Sequence, residues 1–373
     1  MNNETLYGIA LSLLNGVGDI NAKTMISYAG SAELLFKLPT AKLEKIPGIG
    51  VKTACAFKDT TDILKRAEQE IQFIQKHNIE ILFYYDKKYP KRLLNCNDAP
   101  LYIFSKGKVD FNKERFVSIV GTRHNTEYGK NCTERLIHDL AAYNVSIVSG
   151  LAYGIDICAH KTALKYDMQN IAVLAHGLDR IYPAQHKGIA EKLQENGALV
   201  SDFLSNTIPD KQNFPSRNRI VAGMTDATIV VESAESGGAL ITASIAHSYN
   251  RDVFAFPGRI DDKYSQGCLK IIQHNTAQLI TCAQDLIDIL NWNQSEKNQP
   301  KENKNTQAQL FVELNDKEKE VYTILQEKEK LSIDDLMVQL SMPISVLNTS
   351  LLQLEMNGIV VSLPGKMYKL VTS

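Results

Sequence analysis

The sequence predicts an α/β fold: a Rossmann-like, doubly wound, mostly parallel sheet, preceded by a helical domain of helix-hairpin-helix (SAM-like) type and followed by a C-terminal winged helix. Three observations carry this. Apolar strand runs alternate with helical stretches from about residue 80 to residue 290. Runs such as SIVG, SIVSG, IAVLA and TIVVES are apolar on both faces, as strands are when helices cover both sides of a parallel sheet. The stretch WNQSEKNQPKENKNTQAQ, residues 292–309, has too few apolar groups to offset its chain entropy and reads as a linker before a last module.

A chain of 373 residues accommodates two to three domains at roughly 150 residues each. The expected divisions are 1–75 (helical), 76–290 (Rossmann-like), 291–310 (linker) and 311–373 (winged helix). In the first region, Leu14-Asn15-Gly16-Val17-Gly18 and Ile46-Pro47-Gly48-Ile49-Gly50 repeat one pattern ahead of helical runs. Such glycine turns can offer backbone N–H groups at a helix N-terminus to a phosphate, or simply turn tightly within a bundle. The expected strands are 116–120, 145–148, 171–174, 198–202, 227–231, 253–256 and 278–281. The expected helices between them are 126–143, 155–166, 187–196, 217–224, 239–249 and 283–290. Beyond the linker, helices over 316–328, 332–340 and 343–357 precede two short strands about Pro364-Gly365, a winged-helix pattern with an N-cap at Ser332.

Composition narrows the function. Lys+Arg number 41 against 42 Asp+Glu, a net charge of -1, which excludes a polycation but not a local basic groove. No run reaches the ~18 apolar residues of a membrane span, and no basic n-region opens the chain, so a cytoplasmic, non-membrane protein is expected. The six cysteines are scattered without a CxxC pair, which points away from zinc and from a disulfide framework. Neither GxGxxG nor a Walker lysine motif is present, and no cofactor is expected.

Ligands of open α/β sheets bind beyond the carboxyl ends of the strands. Here those ends carry Gly121-Thr122-Arg123, Ser149-Gly150, Ala175-His176-Gly177 and the turn running to Gly237-Gly238. Together they read as a phosphate-binding platform. Arg123 can fork onto phosphate oxygens, or pair with Glu232 or Asp156. Lys211 and Phe214 fall in a loop before a helix and supply charge and a π-face, as single-strand binding requires; otherwise Phe214 packs beneath the loop. Arg217 is assigned to DNA and its neighbour Arg219 to the fold, because residues two apart on a helix point to different faces. Asp156 and His160 are assigned to structure, since no third ligand supports a metal.

These residues carry a resemblance. SIVGTR, SGLAYGID-x-x-AH, HGLDRIYPAQH, NFPSRNRIVAG, IVVES, SGGALITASIA and RDVFAFPG, in that order, are similar to the motif series of the DNA-processing protein A (DprA/Smf) family. The resemblance implies a single-stranded DNA-binding protein that protects incoming DNA and hands it to a RecA-type recombinase in natural transformation. It implies a homodimer, places the family's phosphate-gripping arginine at Arg123, and puts strand contacts at Lys211 and Phe214. It implies binding, not enzymatic, chemistry. Two other classes fit the residues less well. Nucleotide-5′-monophosphate phosphoribohydrolases carry PGGxGTxxE at a comparable turn, but here Leu240 replaces a glycine and Ser244 stands in the register of the glutamate. A duplex-reading regulator is disfavoured because PISVLNTSLLQLEMNG contains no Arg or Lys.

Overall fold

The computed structural model describes residues 3–292, 315–328, 330–357, 359–363 and 367–370. Residues 293–310 of the expected linker and the Pro364-Gly365 turn lie outside them. The chain forms two compact units, residues 1–297 and 298–373. Among the described residues no helix is long and apolar enough to cross a membrane.

The first unit is built on nine strands: β1 (Glu80–Phe83), β2 (Tyr102–Lys108), β3 (Phe116–Val120), β4 (Ser146–Ser149), β5 (Asn170–Val173), β6 (Gly197–Ser201), β7 (Ala227–Val230), β8 (Asp252–Ala255) and β9 (Gln278–Leu279). Their order across the sheet is β1-β2-β6-β5-β4-β3-β7-β8-β9. From β6 to β9 all neighbours run parallel, while β1 and β2 add an antiparallel edge. Every residue of β3, β4, β5, β6 and β7 is buried, the physical counterpart of the doubly apolar runs. The mostly parallel sheet with helices on both sides is as expected; the antiparallel pair β1–β2 and the helix Gln266–Gln273 were not anticipated.

One boundary needs correcting because it moves a site residue. The helix expected from residue 217 begins at Asn213. Pro215 reads locally as a breaker, yet it sits in the first turn, where N–H groups have no intrahelical partner, so it costs the helix nothing. Phe214 and Pro215 are therefore helical.

Six helices between Asn3 and Lys76 precede the sheet. They share one apolar core with it, in which Ile9, Leu11, Met25 and Leu43 join Tyr102, Phe104 and Leu199. Polar contacts tie the two parts as well. Arg66 donates to the Ser205 carbonyl at 2.7 Å, and Glu70 accepts from Ser205 N–H at 2.9 Å. Asp19, which opens the helix after the first glycine turn, accepts from Leu101 N–H at 2.8 Å and pairs with Arg219 at 2.9 Å. That helix start is thus spent on the sheet, and an anionic side chain already stands at it.

In the second unit, helices Asp316–Glu327, Ile333–Leu340 and Ile344–Met356 surround a core of Val321, Leu336, Leu347, Leu351 and Leu354. Strands β10 (Leu331–Ser332), β11 (Val360–Leu363) and β12 (Met367–Leu370) form an antiparallel sheet in the order β10-β12-β11. Ser332 caps its helix as expected, accepting from Asp335 N–H at 3.1 Å. This is a winged-helix fold.

Candidate nucleic-acid interface

The chain runs from β3 through β4 and β5 to β6 on one side, then from β7 through β8 to β9 on the other. Strand order reverses between β3 and β7, and at such switch points the loops part to leave a crevice. A cleft of about 400 Å³ lies there, at the carboxyl ends of the strands. Gly121, Thr122, Arg123, Gly150, Phe214, Arg217, Gly237 and Gly238 all line it. Of the expected site residues only Ser149 and Lys211 do not. Ser149 is fully buried and its hydroxyl donates to the Ile119 carbonyl at 2.6 Å, so its side chain ties β4 to β3 and is not offered to a ligand. Lys211 is exposed on the turn just ahead of the Phe214 helix.

Two of the helix N-termini at this edge, those after β3 and β7, differ. The helix Glu127–Leu140 follows β3, the place where dinucleotide-binding folds seat a pyrophosphate. Here the buried carboxylate of Glu232 fills that seat. It accepts from Thr126 N–H at 2.9 Å and from the Thr126 hydroxyl at 2.5 Å. Gly129 leaves the room, since a Cβ there would collide with the Glu232 carboxylate. The helix dipole is already met by an internal anion, which is the structural reason that no dinucleotide fingerprint follows β3. The helix Gly238–Ser248 holds no such anion: Gly237 at its N-cap has no side chain with which to cap the first turn.

Arg123 is exposed and is not paired with Glu232 or Asp156. Its guanidinium lies over the Phe214 ring, 5.0 Å from the centroid. Phe214 is half-buried, and the Tyr182 ring, 45% exposed, stands 6.4 Å from it. An arginine held by an exposed ring contact gives up only about 0.5–1 kcal/mol on leaving it, so it can exchange the ring for a phosphate.

Beneath the cleft lies a buried charge network. Asp156 accepts from Gly150 N–H at 3.1 Å and Ala152 N–H at 3.4 Å, holding the turn after β4. Burial pushes its carboxyl up while the Arg217 charge opposes that. Arg217 is 4% exposed and donates to the carbonyls of Gly150, at 2.7 Å, and Val173. Burial pulls its guanidinium down to about 10, which leaves it charged at neutral pH. The assignment of Arg217 to DNA is therefore corrected: it is one turn inside the helix, on the buried face it shares with Ile220 and Val221, and it braces strand ends. Gly150 is required there because a side chain would strike that guanidinium. Arg219 braces the fold as expected, between Asp202 at 2.8 Å and Asp19. His160 is fully buried and bonded to Asn170 at 2.6 Å, also structural. Among the described residues no three His, Cys, Asp or Glu side chains gather as a metal site.

Two cleft residues escaped the sequence reading, Lys263 and Tyr264 from the loop after β8, as did Tyr182, whose ring stands beside Phe214. An aromatic beside Pro183 and a Lys-Tyr pair in a polar loop were the available signals. Only the strand order shows that they converge.

Known proteins share this architecture. The model of the DNA recombination-mediator protein A family matches residues 80–291, and that of the DprA winged helix domain matches residues 305–366. Protein Smf of Synechocystis sp. is 31% identical over 400 aligned positions, covering 99% of each chain. The crystal structure of DNA processing protein A from Streptococcus pneumoniae superposes with a TM-score of 0.64 at 31% identity, covering 77% of this chain and 98% of that one. DNA processing protein A from Helicobacter pylori, solved for its single-stranded DNA binding mode, gives a TM-score of 0.52 at 29% identity, covering 57% and 95%. With a family model matched over more than half its length and a relative aligned along its whole length, the chain belongs to the DNA-processing protein A (DprA/Smf) family.

Proposed function

We propose that the chain binds single-stranded DNA along the carboxyl ends of its parallel strands, tolerant of sequence, and passes the strand to a RecA-type recombinase in recombination and natural transformation. The observation that carries the binding is the exposed Arg123 guanidinium over the Phe214 ring, beside the open Gly237-Gly238 turn at the switch point. Charge for the backbone and a π-face for a base are the two elements that single-strand sites combine. The relative solved for its single-stranded DNA binding mode supports the choice of ligand.

This is binding chemistry and not hydrolysis. Ser244 stands where the glutamate of the phosphoribohydrolase pattern would stand, and Glu232, the carboxylate at the end of β7, is engaged at a helix cap. The protein acts in the cytoplasm as a homodimer, whose two-fold axis extends one DNA path into a second and raises avidity. Light scattering at micromolar protein checks the dimer, and a monomer would contradict it. Recombinase delivery is checked by filament assembly on oligo-dT with and without this protein. For the binding itself, fluorescence anisotropy of labelled oligo-dT is followed with unlabelled duplex as competitor. Tight binding that duplex fails to displace is expected; no binding at low salt overturns the function.

A further inference from the structure

A second cation–ring pair stands on the cleft. The Lys263 ammonium lies 5.7 Å from the centroid of the Tyr264 ring, and both residues line the cleft with Arg123 and Phe214. Their loop is anchored to the turn after β7. The Tyr264 carbonyl accepts from Ser233 N–H at 2.7 Å, and Gly267 N–H donates to the Ser233 carbonyl at 2.9 Å. Its two acids are engaged elsewhere. Asp261 pairs with Arg259 at 3.1 Å, while Asp262 accepts from Tyr264 N–H and from the Ser265 hydroxyl, each at 3.3 Å. Lys263 is exposed and makes no ion pair among the described residues. A cation without an ion pair on an anchored loop, with a half-buried ring beneath it, repeats the arrangement of Arg123 and Phe214.

We propose that Lys263 and Tyr264 form a second nucleotide subsite, Lys263 meeting a backbone phosphate and Tyr264 an adjacent base. This rests on the single-strand reading of the cleft. Lys263 and Tyr264 reach the cleft from the loop after β8, whereas Arg123 follows β3, with β7 between the two strands. Entering the cleft from different strand ends, the two cations are assigned to different phosphates of the strand. The path therefore crosses the switch point from the Phe214 side toward β8.

The test measures anisotropy of labelled oligo-dT over several salt concentrations for wild type, Lys263→Gln, Tyr264→Phe and Tyr264→Leu, with Arg123→Ala as reference. Lys263→Gln is expected to flatten the log–log salt slope by about 0.7, additively with Arg123→Ala. Tyr264→Leu is expected to bind roughly five-fold or more weakly, and Tyr264→Phe as wild type does. Lys263 is exposed, so its variant reads the subsite without touching the anchored ring. Wild-type slope in Lys263→Gln together with wild-type affinity in Tyr264→Leu, while Arg123→Ala remains impaired, overturns the subsite and leaves the cleft reading standing. Wild-type protein that fails to bind overturns both.

Discussion

The carboxylate of Glu232 occupies the space that a side chain on Gly129 would need. This pairing, across about a hundred residues of chain, closes the helix N-terminus after β3 to a ligand. An internal anion satisfies Thr126 and the start of the helix after β3, and anion binding is left to the Gly237-Gly238 turn and to Arg123. Gly129→Ala should drive the carboxylate off its seat and destabilise the first unit by about 1–3 kcal/mol, the cost of stranding a buried hydrogen-bonding group. Urea denaturation checks it, and an unshifted midpoint would contradict the seat.

Arg217 and Arg219 should behave as structural cations. Arg217→Met leaves Asp156 buried without its charge partner and is expected to cost about 3–5 kcal/mol. Arg219→Met should cost less, because Arg219 and Asp19 keep some contact with water. The measurement is chemical denaturation of each variant. Full stability in Arg217→Met, combined with a flatter salt slope for oligo-dT, would return Arg217 to the DNA.

Much of this was legible in the sequence, and what was not has physical reasons. Doubly apolar runs gave the parallel strands to within a residue or so, since burial on both faces leaves a direct mark on composition. β1 and β2 were missed because EILF is short and buried only in its second half, and YIFSKGK is apolar only in its first three residues. The cleft glycines and Arg123 were visible because strand ends locate ligands in this class of sheet. The fate of Arg217 was not, because it turned on where a helix containing Pro215 begins. Nor was that of Asp19, whose partner Arg219 lies 200 residues away. Local pattern carries no information about such pairs.

His160 gives the first unit a pH dependence. Its ring is neutral: Nδ1 donates to Asn170 and Nε2 has no hydrogen-bond partner. Burial pushes the imidazole down from 6.5 to about 4. Between those values the unfolded chain holds a proton that the folded one lacks. The stabilisation is therefore complete above about 6.5 and is lost as pH falls toward 4. Moving from about pH 7 to about pH 5 should cost wild type about 2 kcal/mol more than His160→Gln. Urea titrations at the two pH values check it, and equal losses would contradict it.

Phe214→Ala should lose about 1–3 kcal/mol of oligonucleotide affinity, the usual worth of a stacked base, with the salt dependence kept. Equilibrium titration with oligo-dT measures this, and wild-type affinity would show that the ring serves only the fold.

The central claim is that Arg123 meets a phosphate of a single strand lying over the switch point. The most direct measurement is the salt dependence of oligo-dT affinity for wild type against Arg123→Ala. A log–log slope flatter by about 0.7 in the variant, with folding unchanged, is the expected result. Identical slopes and identical affinities would contradict it, and would leave Arg123 as no more than a cover for the Phe214 ring.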